Sequence, residues 1–365
     1  MLDKNVDLSR KRILVTGAAG FIGSNLVMEL MKRFPDCKIM GIDNVNNYYD
    51  VGIKEYRLDQ IAQAAEYDDQ FELVRGSIAD RDLIDRVFTE FKPEVVVNLA
   101  AQAGVRYSIE NPDAYMEANM IGFYNILEAC RHSYDGVDHG DGVSGSYSGV
   151  EHLVYASSSS VYGSNKKIPY SVEDKVDNPV SLYAATKKSN ELLAHAYSKL
   201  YGIPSTGLRF FTVYGPAGRP DMAYFGFTNK LIKGETIKIF NYGNCKRDFT
   251  FVDDIVEGVV NVMQVAPSEN ENGAKYKVYN IGNNDPVNLL DFVDILQQEL
   301  IAAEVLPADY DFEGHKELVP MQPGDVEVTY ADVTALEEDF GFKPSTSLRD
   351  GLRSFARWYK EYYRV

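Results

Sequence analysis

Three glycines near the start of the chain constrain its fold more than any other sequence feature. They stand at regular spacing in Gly17-Ala18-Ala19-Gly20-Phe21-Ile22-Gly23, between a short apolar run at residues 12–16 and a helical pattern over residues 21–33. A glycine turn between a strand and a helix lets the backbone approach a pyrophosphate, which the amide groups of the helix N-terminus stabilise. The residues predicted to form this dinucleotide site are Gly17, Gly20, Phe21, Ile22 and Gly23.

A carboxylate at the end of the next predicted strand supports the same interpretation. Residues 38–42 are apolar and end in Asp43, about twenty residues after Gly23. A carboxylate there accepts hydrogen bonds from both ribose hydroxyls of an adenosine and repels a 2′-phosphate. The pairing of glycine turn and Asp43 therefore predicts NAD as the cofactor, in preference to NADP.

Strand and helix patterns continue to alternate along the chain, which predicts a parallel sheet with helices on both faces. The fold class is α/β: a Rossmann-type doubly wound parallel sheet with a smaller C-terminal α/β part. The small side chains that follow the fourth strand, at residues 95–98, leave space for a cofactor to cross the strand end. They are Leu99, Ala100 and Ala101.

A second group of motifs predicts a catalytic site. Tyr183 and Lys187 are four residues apart and share one face of a predicted helix. An adjacent ammonium is expected to lower the pKa of the phenol and to let Tyr183 exchange a proton with a sugar hydroxyl. The serine run that includes Ser158 follows the apolar run of residues 153–155, so it is expected at the ligand-binding end of a strand.

Composition excludes several classes of function. The chain has 365 residues and a formal charge of −17, which disfavours nucleic acids and anionic membrane surfaces as partners. Its three cysteines are far apart and its five histidines are scattered, so no metal site is predicted. With no signal peptide or transmembrane segment visible, a cytoplasmic location is expected. We assign no function to the segment 135–149, which is rich in glycine and serine.

With these motifs in this order, the chain resembles the extended short-chain dehydrogenase/reductase family over nearly its whole length. Within that family it is similar to the nucleotide-sugar 4-epimerases, in particular those acting on UDP-glucuronate, through residues 218–222, 241–243, 246–249 and 323–326. The resemblance implies an isomerase with a tightly held NAD. It would interconvert UDP-glucuronate and UDP-galacturonate through a transient 4-keto sugar.

The resemblance also implies a division of the chain and a partner. Residues 1–204 would bind NAD, and residues 205–365 would mainly bind the UDP-sugar, with some segments returning to the Rossmann sheet. A homodimer is expected, because related enzymes commonly pair through helices.

Roles for single residues follow from matching positions in the family. Ser158, Tyr183 and Lys187 would be catalytic, and Tyr183 and Lys187 would also contact the cofactor. The further cofactor contacts would be Asn44, Ser77, Ile78 and Asn119. The substrate contacts would be Ser159, Ser160, Thr212, Arg219, Phe240, Arg247 and Asp325.

The identity of residue 160 favours epimerisation over decarboxylation. Related decarboxylases typically carry glutamate where this chain has Ser160. Oxidation of C4 in a glucuronate creates a β-keto acid, so an epimerase must hold the carboxylate in an orientation that opposes its loss. Arg219, with its forked guanidinium, is the candidate for holding the carboxylate in that orientation.

Three alternatives stay open at this point. The first is a 4-epimerase for UDP-glucose or UDP-N-acetylglucosamine, and the second is a UDP-glucuronate decarboxylase. The third belongs to a different class, a non-enzymatic module that senses NAD. Joint presence of Ser158, Tyr183 and Lys187 argues against the third, because a sensor needs none of them for chemistry.

Overall fold

Short apolar runs form the centre of the molecule, a parallel sheet of seven strands. The computed structural model of the protein describes residues 1–135, 147–321 and 326–365. Its strands are β1 (Arg12–Thr16), β2 (Lys38–Asp43), β3 (Phe71–Arg75), β4 (Val95–Asn98), β5 (His152–Ser158), β6 (Ser205–Phe210), β7 (Thr212–Tyr214), β8 (Ile237–Ile239), β9 (Lys246–Phe251), β10 (Tyr276–Ile281), β11 (Pro286–Asn288) and β12 (Lys316–Leu318).

Helices connect these strands. They are α1 (Phe21–Arg33), α2 (Val51–Ala64), α3 (Arg81–Phe91), α4 (Tyr107–Glu110), α5 (Pro112–Tyr115), α6 (Phe123–His132), α7 (Leu182–Tyr201), α8 (Ala223–Ile232), α9 (Val252–Met263), α10 (Leu289–Ala302), α11 (Thr334–Phe340) and α12 (Leu348–Tyr363). A π-helical segment, Met116–Gly122, joins α5 to α6, and 3₁₀ turns span Ser159–Tyr162, Phe240–Gly243 and Glu313–His315.

The order of strands creates a crevice at the centre of the large sheet. That order is β10-β6-β5-β4-β1-β2-β3, with every neighbouring pair parallel. The chain runs outward from β1 to β3 and then crosses back to β4, so the connections after β1 and β4 leave in opposite directions. Open α/β sheets bind ligands at such a point, beyond the carboxyl ends of the strands.

Both faces of the large sheet are buried, which explains why its strands read as continuous apolar runs. Side chains alternate between faces along a strand. Ile13 and Val15 of β1 therefore belong to one apolar cluster, whereas Leu14 belongs to the other. The predicted α/β, doubly wound fold is confirmed.

Two strands from the second half of the chain extend this sheet. β6 pairs with β5, and β10 pairs with β6, although both lie beyond residue 204. The remaining strands form two small sheets, β11-β9-β7 and β12-β8. The division of the chain at residue 204 into a cofactor part and a substrate part stays a prediction.

The C-terminal helix α12 closes the molecule with aromatic side chains. Phe355 and Trp358 pack against Phe225 of α8, with ring centroids 5.6 and 5.8 Å apart. Trp358 also donates a hydrogen bond to the hydroxyl of Tyr56 in α2, at 3.3 Å. The helix thereby joins the second half of the chain to the first. Among the described residues, the structure contains no helix with the length and hydropathy that crossing a membrane requires.

Candidate active site

The glycine turn at the end of β1 has a conformation that side chains would prevent. Gly17 has a φ of +73°, and a Cβ atom there would lie 2.8 Å from the backbone nitrogen of Ala100. A Cβ atom on Gly23 would lie 2.1 Å from the carbonyl oxygen of Gly17. Helix α1 starts directly after Gly20, and no side chain caps it. Its first amide groups are therefore available to a phosphate, so the turn fits a pyrophosphate.

Asp43 is fixed beside this turn by two backbone hydrogen bonds. Its carboxylate accepts one from the Ala19 amide at 3.0 Å and another from the Val45 amide at 2.8 Å. A carboxylate has about four acceptor positions, so capacity remains for a ribose diol. This arrangement fits the adenosine ribose of a dinucleotide.

The other predicted cofactor residues lie around the same crevice, with one exception. A cleft of about 270 Å³ is lined by residues that include Asn44, Ser77, Ile78, Leu99, Ala100 and Ala101. Asn119 is buried and does not belong to this lining. Its amide instead donates to the Gln102 carbonyl and the Thr186 hydroxyl, each at 3.0 Å, and accepts from the Gln102 amide. This geometry supports a positioning role for Asn119, and direct cofactor contact stays a prediction.

The same cleft brings the three predicted catalytic residues together. Ser158, Tyr183 and Lys187 all line it. Ser158 ends β5, and its hydroxyl lies close enough to Tyr183 to favour the phenolate. Tyr183 and Lys187 stand on the first turns of α7, whose N-terminus is capped by the Ser181 side chain through the Ala184 amide at 3.1 Å.

The charges in the site differ from the expectation drawn from Tyr183 and Lys187 alone. Burial lowers the pKa of Lys187 to about 8, and its ammonium donates to the Ala156 carbonyl at 2.9 Å. Burial raises the pKa of Tyr183 above its ordinary value, while the nearby Ser158 hydroxyl and the Arg219 charge act in the opposite direction. The expected lowering of this pKa by Lys187 was wrong, because desolvation of the phenol outweighs the effect of its neighbours.

Arg219 lies in the cleft and already has an ionic partner. Its Nε and Nη2 atoms donate to the two carboxylate oxygens of Asp221, at 3.0 and 2.6 Å. The Tyr48 hydroxyl donates to the same carboxylate at 3.1 Å. The structure thus adds Tyr48 and Asp221 to a site in which sequence predicted only Arg219.

A family model described as GDP-mannose 4,6 dehydratase matches residues 14–355 of the chain. The chain belongs to that family. Similar proteins include nucleotide-sugar epimerases. The predicted family and the predicted enzyme class, an epimerase, are therefore confirmed.

Three similar proteins illustrate the range of relatives. Protein CapI of Staphylococcus aureus is 47% identical over 364 residues, which cover 97% of this chain and 99% of CapI. UDP-glucuronate 4-epimerase 2 of Arabidopsis thaliana is 41% identical over 362 residues, covering 96% of this chain and 76% of the plant protein. The crystal structure of UDP-glucuronic acid 4-epimerase from Bacillus cereus, in complex with UDP-glucuronic acid and NAD, has a TM-score of 0.79. It is 30% identical and covers 96% of this chain and 100% of the solved chain.

The serines that follow Ser158 lie in the 3₁₀ turn beside the cleft. Ser157, which precedes them and lines the cleft, donates to the buried carboxylate of Glu191 at 2.7 Å. The Ser158 hydroxyl also accepts from the Ser160 amide at 3.1 Å. Ser159 and Ser160 are half-buried, and the Ser160 hydroxyl has no hydrogen-bond partner among the described residues. Neither side chain lines the cleft, so their substrate contacts stay predictions.

Three of the remaining predicted substrate residues, Thr212, Phe240 and Arg247, lie outside the lining of this cleft. Thr212 begins β7, between Phe211 and Val213, which do line it. Phe240 carries the Arg106 guanidinium 5.2 Å above its ring. Arg247, in β9, donates to the carbonyls of Lys246 and Glu327. Asp325 is outside the described residues, and the roles of all four positions stay predictions.

Arg57 is a positioning residue that sequence reasoning missed. It is almost fully buried in α2, and its guanidinium donates to the carbonyls of Ala19, Ala217 and Gly218 at 3.1, 2.8 and 2.9 Å. It therefore ties the glycine turn to the loop that carries Arg219. Neither Arg57 nor Tyr48 belongs to a motif, so no local signal marks them.

Proposed function

We propose that the protein is an NAD-dependent 4-epimerase that interconverts UDP-glucuronate and UDP-galacturonate. One observation carries the choice of substrate: the guanidinium of Arg219 lies in the same cleft as Tyr183 and is close enough to influence its pKa. The carboxylate of a uronate is attached at C5, next to the C4 hydroxyl that reacts. A cation beside the proton-transfer residue fits that substrate.

The residues of the first half of the chain fit NAD as the cofactor. The glycine turn and the uncapped start of α1 suit its pyrophosphate, and Asp43 suits the adenosine ribose. The similar Bacillus cereus enzyme is described in complex with NAD. When bound there, NAD would supply the reversible two-electron oxidation of C4 and would not be consumed.

Residues of the chain itself would carry out the proton transfer at the C4 hydroxyl. Tyr183 takes the proton of the C4 hydroxyl as C4 is oxidised and returns it after the keto sugar has turned over in the cleft. Ser158 hydrogen-bonds the same oxygen and favours the phenolate of Tyr183. Lys187, fixed on the Ala156 carbonyl, supplies a cation on the same helix face. These roles rest on the geometry of the cleft and on family resemblance.

A 4-epimerase for neutral UDP-hexoses is the second candidate. The observation that favours it is the ion pair of Arg219 with Asp221, which already neutralises the guanidinium charge. In this alternative the pair would offer hydrogen bonds to sugar hydroxyls and would have no preference for a carboxylate.

Replacing Arg219 by alanine separates the two candidates. We expect kcat/KM for UDP-glucuronate to fall by roughly 10²-fold or more, because the substrate carboxylate loses its charged partner and meets Asp221 alone. Activity on UDP-glucose, if any, should change by less than about threefold. The measurement is steady-state kinetics with both sugars.

The matched control for that experiment is Arg353→Ala. Arg353 also donates to an aspartate, Asp350, at 2.8 Å, but it lies on α12, away from the cleft. It should leave both activities unchanged. A parent enzyme that turns over UDP-glucose as well as UDP-glucuronate would contradict the uronate assignment, as would equal losses for both sugars in Arg219→Ala.

A further inference from the structure

The carboxylate of Asp221 pairs with Arg219, which lines the cleft, although Asp221 does not itself belong to the lining. The side chains of Arg219 and Asp221 are only 23% and 30% exposed. Burial alone would raise the pKa of Asp221, but the charge and hydrogen bonds of Arg219 outweigh burial and hold that pKa below its ordinary value. Asp221 is therefore an anion at neutral pH, next to the residue proposed to bind an anionic substrate.

Tyr48 is a second hydrogen-bond donor to Asp221. It follows β2, in the segment that begins with Asp43, and its hydroxyl donates to Asp221 at 3.1 Å. Its ring packs against Tyr107, with centroids 4.7 Å apart. Burial raises the pKa of Tyr48 to about 12, so the hydroxyl keeps its proton over the working range of pH. Asp221 is thus fixed by a cation and a neutral donor.

This arrangement leaves one edge of the guanidinium for another carboxylate. A guanidinium offers donors in a rigid fork and can bind carboxylates along two edges. Asp221 occupies the edge formed by Nε and Nη2. The part of the chain that the structure describes places no acceptor on Nη1 of Arg219. The edge formed by Nη1 and Nη2 is therefore the one on which a substrate carboxylate can be held.

We propose that Asp221, supported by Tyr48, orients Arg219 so that the guanidinium edge formed by Nη1 and Nη2 fixes the carboxylate of the uronate and opposes loss of CO₂. This inference rests on the proposed function and deepens it. Asp221 is a positioning residue in this account, because it acts on the substrate through Arg219.

The reaction that competes with epimerisation is loss of CO₂ from the 4-keto sugar. Once C4 is a ketone, the bond from C5 to the carboxyl carbon can break, and CO₂ leaves while the electron pair forms the enolate of C4 and C5. A proton then adds to C5, and return of the hydride to C4 gives a UDP-pentose. The reaction needs the carboxyl bond perpendicular to the carbonyl plane, so a guanidinium free to rotate permits it more often.

The negative charge of Asp221 leads to a prediction for UDP-glucuronate binding that a purely structural residue would not give. Asp221 repels a second carboxylate at the same guanidinium. Removal of its charge should therefore keep or strengthen the binding of UDP-glucuronate, by about threefold to tenfold for charges this close in a partly hydrated site. Binding of UDP-glucose, which has no carboxylate, should change by less than about twofold.

The test uses Asp221→Asn in the full-length holoenzyme, with UDP-glucuronate labelled with ¹³C at the carboxyl carbon. We expect the fraction of turnovers that release labelled CO₂ to rise at least fivefold over the parent. Tyr48→Phe, which removes one support of Asp221, should raise it by a smaller factor. The matched control is Asp85→Asn, because Asp85 also pairs with an arginine, Arg81 at 2.9 Å, but on the exposed face of α3.

Binding is measured separately by calorimetry in a Tyr183→Phe background, so that no substrate turns over. An unchanged CO₂ fraction with uniformly lower turnover in both variants would overturn the proposal, and so would weaker uronate binding in Asp221→Asn. If Asp221→Asn does not fold, an unchanged fraction of CO₂-releasing turnovers in Tyr48→Phe would likewise overturn the proposal.

The proposed function can fail independently of this inference. If the parent enzyme does not epimerise UDP-glucuronate, the proposed function fails on that result alone. The ratio of uronate to glucose binding, with Asp221 and with its asparagine variant, then still reports whether Asp221 opposes a carboxylate at Arg219.

Discussion

Burial decides the protonation of the residues in the cleft. It lowers the pKa of Lys187 to about 8 and raises that of Tyr183, so the phenol keeps its proton at neutral pH. Two neighbours oppose the effect on Tyr183, the Ser158 hydroxyl and the Arg219 cation. In our account Tyr183 becomes an effective base only when a bound substrate and cofactor complete its surroundings.

The Tyr183→Phe variant tests this residue directly. We expect kcat for UDP-glucuronate to fall by about 10²- to 10⁴-fold, because phenylalanine keeps the ring and loses the proton-transfer group. The dissociation constant for UDP-glucuronate should change by less than about threefold. Stopped-time product assays give the first quantity and calorimetry the second. Turnover within a few-fold of the parent would remove Tyr183 from the proton transfer.

Single residues could be predicted from sequence where their partners are close in the chain. Gly17 with Gly23, and Tyr183 with Lys187, are pairs set by local geometry, and both lie where sequence predicts them. The bond between Tyr48 and Asp221 spans 173 residues and depends on the tertiary fold. The direction of the Tyr183 pKa was also out of reach, because sequence does not give the burial of a side chain.

At the scale of elements, α7 organises the site. Its first turns carry Tyr183 and Lys187, and its middle carries Glu191, which is almost fully buried. Glu191 pairs with Arg209 of β6 through two contacts at 2.8 and 2.9 Å and accepts from Ser157 of β5. The helix is thereby fixed against the two strands whose ends form the catalytic wall.

Elements with strong apolar periodicity, such as β1 and α1, were predicted with the bounds that the structure has. No element was predicted for residues 51–64, which form α2, because polar residues interrupt its apolar spacing. Residues 115–130 have the pattern of a single helix, but the π-helical segment around Asn119 interrupts the α-helical geometry there. The hydrogen bonds of Asn119 to Gln102 and Thr186 come from other elements, so local sequence does not reveal them.

His152 makes the packing of β5 dependent on pH. It is fully buried, and its ring nitrogens contact the Met263 carbonyl at 3.2 Å and the Thr206 hydroxyl at 2.8 Å. Burial lowers its pKa from 6.5 to about 4. Between these values the unfolded chain binds a proton that the folded chain does not, so stability is complete above pH 6.5 and is lost as pH falls towards 4.

At pH 5 this loss should be about 2 kcal/mol of unfolding free energy relative to pH 7. Urea unfolding at both pH values measures it, and His152→Gln should show a drop smaller by about that amount. His315→Gln, at a site near the surface, serves as control and should behave like the parent. An equal pH dependence in parent and His152→Gln would refute this explanation.

At the scale of the whole molecule, a strongly acidic chain presents cations where an anionic substrate is expected. The formal charge is −17, yet the cleft lining contains Lys54, Lys187 and Arg219. A nucleotide sugar with a diphosphate and a carboxylate would therefore be attracted locally and not by the molecule as a whole. Binding should weaken at high salt less steeply than for proteins with a broad basic surface.

The expected homodimer also belongs to this scale. Apolar side chains are exposed on two adjacent stretches, with Ile121 at 53% and Tyr124 at 43% on the π-helical segment and α6, and Leu192 at 60% on α7. Contiguous exposed apolar side chains mark interaction surfaces. We predict a dimer in light scattering and a monomer for Leu192→Glu. Leu318→Glu, at 50% exposure on β12, is the control and should stay dimeric. A monomeric parent would contradict the prediction.

The most direct test of the account is the product formed from UDP-glucuronate by the purified protein with no cofactor added, followed by NMR. We predict UDP-galacturonate as the product, with little CO₂ released, because Arg219 holds the carboxylate beside Tyr183. A UDP-pentose with stoichiometric CO₂ would contradict the account, as would an inert uronate in a preparation that converts UDP-glucose.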